Sequence, residues 1–258
     1  MAFHVVIPAR FASTRLPGKP LLKIGGIPMI QRVVERACSS AADRVLVATD
    51  DERIATAVSD PRRPGERIAL MTDVTLRSGT DRVAEVARHL GWNEATVVVN
   101  VQGDEPFLSP RLIDQVAKLL QAQPAAGIAT LSTPITEIEE LLDPNVVKVV
   151  TRNDGLAMYF SRAPIPWNRA GAVGRLTDQR DFAGAMRHVG IYAYRVGVLT
   201  QLNRMPPSEL EQREQLEQLR AMQNGVAIAV ANCVEVPGPG VDTAADLERA
   251  RQRIAENS

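Results

Sequence analysis

The chain has very little cysteine and histidine. Its two cysteines, Cys38 and Cys233, are far apart and have no metal-site spacing, and Cys38 falls on the apolar face of an expected helix. They read as thiols of a reducing compartment rather than as a disulfide framework or a zinc site. The three histidines, His4, His89 and His188, include no pair at metal-ligand spacing. Net charge is absent too: 30 Lys and Arg balance 30 Asp and Glu, so no global basic field points to nucleic acid. No apolar run reaches the roughly 18 residues that a membrane helix needs, and the opening MAFHVVIPAR makes a poor export signal. Repeats and low-complexity segments are missing as well. A cytoplasmic enzyme is the expectation.

What is present is an α/β pattern. With 258 residues, 45% of them hydrophobic, the chain suffices for one α/β domain with a small elaboration. Phe3–Ala9, Arg44–Thr49, Ile68–Met71 and Thr96–Val101 read as buried strands. Between them, helices are expected from Pro28 through Cys38, over Asp51–Val58 and over Ser78–Leu90; another follows Ser109-Pro110. This alternation predicts a largely parallel sheet covered on both faces, with ligands bound beyond the carboxyl ends of its strands. Arg10–Ile27 shows no period and reads as a long basic loop, and Pro61–Arg67 as a surface loop. From about Ala126 the pattern loosens. Val146–Thr151 and Leu156–Phe160 read as antiparallel strands, and 134–187 as an excursion suited to a dimer contact. Strands over Val189–Tyr194 and Val226–Ala231 and helices over Glu209–Gln223 and Asp246–Ala255 complete the expectation.

Seven strings carry chemistry, the last three taken as one set. In PARFASTRLPGKPL (Pro8–Leu21), Arg10, Arg15 and Lys19 follow the first strand, and Gly18 permits close backbone approach. Fixed cations and loop amides at that place suit a polyphosphate. Neither a P-loop nor a GxGxxG pattern is present, which argues against a nicotinamide dehydrogenase. In VNVQGDEP (Val99–Pro106), Asp104 sits where a buried strand ends and is placed to hold Mg²⁺ over a phosphate; a simple turn is the alternative. In PGPGVDT (Pro237–Thr243), Asp242 is either a second metal carboxylate or an ordinary helix cap. In RSGTDR (Arg77–Arg82), Ser78, Gly79 and Thr80 open a helix whose free amides suit an anion or a base edge, or else simply cap it. In SRAPIPW, RHVGIYAYR and LEQLR, the side chains of Arg162, Arg187 and His188 suit a carboxylate, and Glu217 and Gln218 suit sugar hydroxyls.

Together with VATDD and VVKVV, these strings resemble the 3-deoxy-manno-octulosonate (Kdo) cytidylyltransferases from Val5 to about Arg251. The opening and QGDEP are shared more widely with sugar nucleotidyltransferases; SRAPIPW, RHVGIY and LEQLR single out the Kdo family. The resemblance implies a nucleotide-diphospho-sugar transferase fold, a homodimer, and CTP and Kdo as substrates with Mg²⁺ as cofactor, in lipopolysaccharide biosynthesis. It implies Arg10, Arg15 and Lys19 on the triphosphate, with Lys19, Arg15, Asp104 and Asp242 catalytic and the two aspartates on the metal. Ser78, Gly79 and Thr80 fall near the nucleotide. Gln102, Arg162, His188, Tyr192, Glu217 and Gln218 match positions that line the sugar-acid pocket. The sequence departs from the family at Ser59–Arg67, at Leu76 where a histidine is common, and at Gln212-Arg213. A related sugar acid such as 8-amino-Kdo, or a non-catalytic nucleotide-binding regulator of the same fold, are the alternatives.

Overall fold

A computed structural model describes residues 2–12, 16–76, 78–169, 171, 175 and 178–256. Strand β1 is Phe3–Ala9; every residue of it except His4 is buried, as its unbroken apolar character requires. A short hairpin of β2 (Lys23–Ile24) and β3 (Ile27–Pro28) leads into helix α1, Met29–Cys38. The buried residues of α1 are Met29, Ile30, Val33, Val34, Ala37 and Cys38, one face at helical spacing. Then come β4 (Arg44–Thr49), α2 (Glu52–Thr56) and β5 (Ala69–Met71). Helix α3 (Gly79–His89) precedes β6 (Val97–Asn100) and α4 (Pro110–Ala122). Next are β7 (Ile128–Pro134), α5 (Ile138–Leu142), β8 (Lys148–Thr151) and β9 (Ala157–Ser161). Strand β10 (Met186–Arg195) runs straight into α6 (Val196–Arg204). The chain closes with α7 (Glu209–Glu214), α8 (Gln218–Gln223), β11 (Ile228–Asn232) and α9 (Ala244–Glu256).

The main sheet has the order β11-β7-β10-β6-β1-β4-β5. Strands β6, β1, β4 and β5 are mutually parallel. Strand β10 runs antiparallel to both β6 and β7, and β11 is parallel to β7. The sheet is therefore mixed and mostly parallel, with apolar clusters against both faces. On one side α1 and α4 pack; on the other, α3, α6 and α8. Strands β8 and β9 pair antiparallel and join the sheet where Lys148 meets Arg187 of β10.

Helices α5 and α6 fall where the sequence suggested no helix, and three further regions differ from the expectation. The basic loop holds, besides the β2–β3 hairpin, a 3₁₀ turn over Lys19–Leu21; pieces of two or three residues leave no periodicity to read. Strand β7 lies where the pattern seemed to loosen. It buries Thr130 and Ser132 as well as Ala129 and Leu131, so it has no apolar run. The Thr130 hydroxyl stays satisfied inside the sheet, its single proton lying within reach of the Ile191 carbonyl at 2.8 Å and the Val189 carbonyl at 3.1 Å. The expected helix over Glu209–Gln223 is two helices, broken at Gln215, whose φ of 54° is left-handed. That conformation costs a non-glycine residue roughly 1–2 kcal/mol. The Glu214 carboxylate holds the break in place: it accepts from the Ser161 hydroxyl at 2.6 Å and from the Arg162 amide at 2.9 Å, tying α7 to β9.

Lys148 anchors the excursion. It is fully buried, and its ammonium donates to the carbonyls of Asp143 (2.9 Å), Val146 (2.5 Å) and Arg162 (2.7 Å). Burial pushes its pKa down, and the three carbonyls supply every hydrogen bond the ammonium can donate. Lys148→Met leaves those carbonyls without their donor and is expected to destabilise the fold by about 3 kcal/mol or more. A thermal melt that shifts by less than one degree would contradict this.

Candidate active site

Strands β1 and β6 are parallel neighbours that end at one edge, so the residues following them meet there. Two glycines make the approach possible. A Cβ on Gly103 would lie 3.0 Å from the Pro8 carbonyl, and one on Gly79 would lie 3.0 Å from the Pro8 ring. The end of β1, the end of β6 and the start of α3 thus close on one another. The far end of the chain joins them through the Val241 amide, which donates to the Asp104 carbonyl at 2.9 Å.

Lys19 stands at the centre. The 3₁₀ turn that carries it begins after Gly18, which adopts a left-handed φ of 64°. Its side chain is 10% exposed, and its Nζ lies 2.6 Å from Asp104 Oδ2 and 2.9 Å from Asp242 Oδ1. These partners stand 85 and 223 positions away along the chain. One ammonium between two carboxylates leaves a net negative charge, and Glu105 lies beside it. Burial, then the charges of Asp104 and Asp242, push the Glu105 carboxyl up to about 7. A cleft of about 320 Å³ opens over this cluster, bordered by Pro8, Arg10, Lys19, Gln102, Asp104 and Asp242. The guanidinium of Arg10 donates to the Leu76 carbonyl, and burial lowers its pKa. Arg15 lies outside the described residues.

The two aspartate oxygens converge on a single cation, and hard carboxylate oxygens are what Mg²⁺ takes from a protein when phosphate and water complete its shell. Among the described residues no group of three or more His, Cys, Asp or Glu gathers as a closed metal cage. The donor set therefore fits an ion shared with a phosphate.

At the start of α3 the Ser78 hydroxyl accepts from the Asp81 amide and the Asp81 carboxylate accepts from the Ser78 amide, a full capping box. Thr80 points the other way, its hydroxyl donating to Glu217 Oε2 at 3.0 Å. A second cavity, about 220 Å³, opens there; Gly79, Thr80, Gln102, Tyr192, Glu217 and Gln218 all border it. Four of the six residues expected around a sugar acid are thus brought together. The other two are placed differently. The Arg162 guanidinium donates to the carbonyls of Glu214 (2.7 Å) and Pro144 (2.9 Å) and borders neither cavity. The His188 ring is enclosed between Phe160 and Tyr192, with Nε2 at 2.9 Å from the Thr130 hydroxyl. Burial holds its pKa down at about 3, so the ring is neutral and offers a carboxylate no charge. Sequence reasoning passed over Asn100 and Tyr194, which also line the second cavity, and Glu105 beside the first. The alternation Val98, Asn100, Gln102 was the available signal for Asn100, since period two puts all three on one sheet face.

Comparison with known proteins gives the family. The family model "Cytidylyltransferase" matches residues 4–228. A 3-deoxy-manno-octulosonate cytidylyltransferase of Thioalkalivibrio sulfidiphilus is 52% identical, over 98% of this chain and 99% of its own. One from Aeromonas hydrophila is also 52% identical, over 99% of this chain and 100% of its own. The chain belongs to the 3-deoxy-manno-octulosonate cytidylyltransferase family. A solved structure of CMP:2-keto-3-deoxy-manno-octonic acid synthetase complexed with CTP superposes with a TM-score of 0.86 at 43% identity, covering all of both chains. A cytidylyltransferase of Leptospira borgpetersenii shares the fold alone, with a TM-score of 0.59 at 15% identity. Two departures from the family's sequence pattern have structural homes. The main chain of Leu76 still receives Arg10, and the Ser59–Arg67 stretch is anchored by buried Asp60, which accepts from Arg62.

The neutral His188 generates a pH prediction. Its folded pKa of about 3 lies below the ordinary 6.5, so the unfolded chain takes up a proton first. Its contribution to stability is complete above pH 6.5 and is lost as pH falls from 6.5 toward about 3. His188→Asn is expected to lower the melting temperature near neutrality yet flatten its fall on acidification; parallel melting curves for variant and parent across that range would refute the assignment.

Proposed function

We propose that the protein transfers CMP from CTP to 3-deoxy-D-manno-octulosonate, forming CMP-Kdo and diphosphate for lipopolysaccharide biosynthesis. The observation that carries this reading is the Lys19–Asp104–Asp242 cluster beneath an open cleft at the ends of β1 and β6. The family membership and the full-length likeness to a CTP-bound synthetase support the choice of nucleotide and sugar acid.

In the reaction the anomeric hydroxyl oxygen of the sugar acid forms a bond to the α-phosphorus. The bond from that phosphorus to the α,β-bridging oxygen breaks, diphosphate departs, and the hydroxyl proton passes to solvent. Negative charge accumulates on the departing oxygens, so fixed cations aimed at them lower the barrier more than they strengthen ground-state binding. Lys19 and Arg10 border the cleft and meet the triphosphate; Arg15, on the same loop, is assigned with them. Asp104 and Asp242 would hold Mg²⁺, which would offset phosphate charge and lower the pKa of a hydroxyl brought to it. Ser78, Gly79 and Thr80 place the nucleotide at the α3 terminus, with the amides of the first turn directed at it. Gln102, Tyr192, Glu217 and Gln218 orient the sugar so that its hydroxyl faces the cleft. Positioning and electrostatics supply most of the rate, as in other phosphoryl transfers.

The protein acts in the cytoplasm, where CTP is available, and as a homodimer formed through the β8–β9 excursion. Among the described residues no helix is long and apolar enough to cross a membrane. Met158 on β9 and Trp167 beyond it are exposed apolar side chains on that excursion, which supports its use as a contact.

Two measurements test the reading. With Kdo and Mg²⁺, diphosphate release is expected with CTP and at a small fraction of that rate with UTP or ATP; equal rates with all three would overturn the nucleotide assignment. Asp104→Asn is expected to lower turnover by about a hundredfold or more while leaving the fold intact. Near-normal diphosphate release by that variant would remove Asp104 from the chemistry.

A further inference from the structure

The cavity bordered by Tyr192, Glu217 and Gln218 has an unusual lining. Among the described residues that border it none is Lys or Arg, and one, Glu217, is acidic. Among the described residues a carboxylate placed there would meet no bordering cation and one like charge. The described cations border neighbouring openings: Arg10 and Lys19 the triphosphate cleft, Arg187 a third opening, and Arg220 a fourth that shares Thr80, Glu217 and Gln218. The cavity is chemically suited to the neutral, hydroxyl-bearing part of a sugar acid.

Its floor holds an unsatisfied group. Asn100, the last residue of β6, is 2% exposed, and its Oδ1 is buried with no hydrogen-bond partner among the described residues. The Nε2 of Gln218, on the opposite wall, is likewise buried and unpartnered. An orphaned buried polar atom is costly, and such atoms are rare in folded proteins. Here one orphan accepts, one donates, and both belong to residues that line the same cavity. A sugar hydroxyl both donates and accepts, so a polyol answers both; a carboxylate, an acceptor only, answers one.

We propose that Asn100 is a specificity-determining residue whose Oδ1 accepts a hydrogen bond from a hydroxyl on the polyol chain of the sugar acid, opposite Gln218. This rests on the cytidylyltransferase reading above. The orphaned acceptor is satisfied when that hydroxyl arrives, so binding recovers what folding leaves unmet. A sugar lacking the hydroxyl leaves the acceptor buried and dry, and the discrimination follows from that.

The test uses Asn100→Leu, close in size and without an acceptor, and Asn100→Thr, which keeps a hydroxyl oxygen on a β-branched side chain suited to the strand. Apparent KM values for Kdo and CTP are measured by diphosphate release, together with melting temperatures. Asn100→Leu is expected to raise the KM for Kdo about tenfold, the equivalent of one hydrogen bond, with the KM for CTP essentially unchanged. Its melting temperature is expected to equal or exceed that of the parent, because an unsatisfied polar group has gone. Asn100→Thr is expected to fall between the two. In a panel of Kdo analogues each lacking one hydroxyl, the parent should lose about tenfold on one member, and Asn100→Leu should show no such loss on that member.

An unchanged KM for Kdo in Asn100→Leu, or a rise confined to CTP, would overturn the proposal. So would a parent enzyme that treats every deoxy analogue like Kdo, a result that does not depend on any variant folding. If the parent releases no diphosphate from CTP and Kdo, the cytidylyltransferase reading itself falls. If it does so and Asn100→Leu behaves identically, only the role of Asn100 falls.

Discussion

The ammonium of Lys19, held between the carboxylates of Asp104 and Asp242, is the contact on which the rest of the site depends. Without a cation two aspartates would repel each other and the loops carrying them would part. With it, the turn after β1, the loop after β6 and the segment before α9 are fixed as one unit. The lysine is nearly buried, whereas the aspartates are 35% and 50% exposed. That asymmetry matters for chemistry. The cation is held firmly from the protein side, and the carboxylates stay open to solvent, where an additional ion and its phosphate partner can reach them.

The sheet divides the work. Its parallel half, β6-β1-β4-β5, brings the basic loop and the α3 terminus to a common edge, as open α/β sheets do beyond the carboxyl ends of their strands. Its antiparallel strand β10 lies against β6 and supplies Tyr192 level with Asn100. The change of strand direction occurs between β6 and β10, and the two cavities share Gln102 beside it. Two cavities of different chemistry thus adjoin at a single strand end. Among the described residues the charge pattern follows the same division, with Lys and Arg on the cleft and none bordering the second cavity.

Buried polar side chains hold the supporting loops. Fully buried Arg82 bonds Thr72 and Asp50, so the RSGTDR arginine nearest the helix core serves the scaffold and not a ligand. Lys148 gathers three carbonyls, and Glu214 clamps the corner at Gln215 from which Glu217 and Gln218 project. Burying such groups costs free energy, which their hydrogen bonds offset. Half-buried Arg162 acts beside them: it grips the main chain of Glu214 and so helps fix the corner at Gln215.

Local sequence was enough for the elements whose burial is apolar, along one face for the helices and on both faces for β1. Strand β1, helices α1, α3 and α4 and the capping residues Ser78 and Ser109 follow from periodicity and end chemistry, because those signals lie within a few residues of one another. The charged members of the site were legible as residue types next to strand ends. What only tertiary structure decided was partnership. Strand β7 buries threonine and serine whose partners come from β10 and β11, the turn at Gln215 is fixed by contacts with β9, and His188 is neutral because packing against Phe160 and Tyr192 disfavours its charged form. The meeting of Lys19 with two aspartates, one of them 223 positions away, has no local sequence signature, since the distance is set by how the sheet folds and not by any property of the intervening chain.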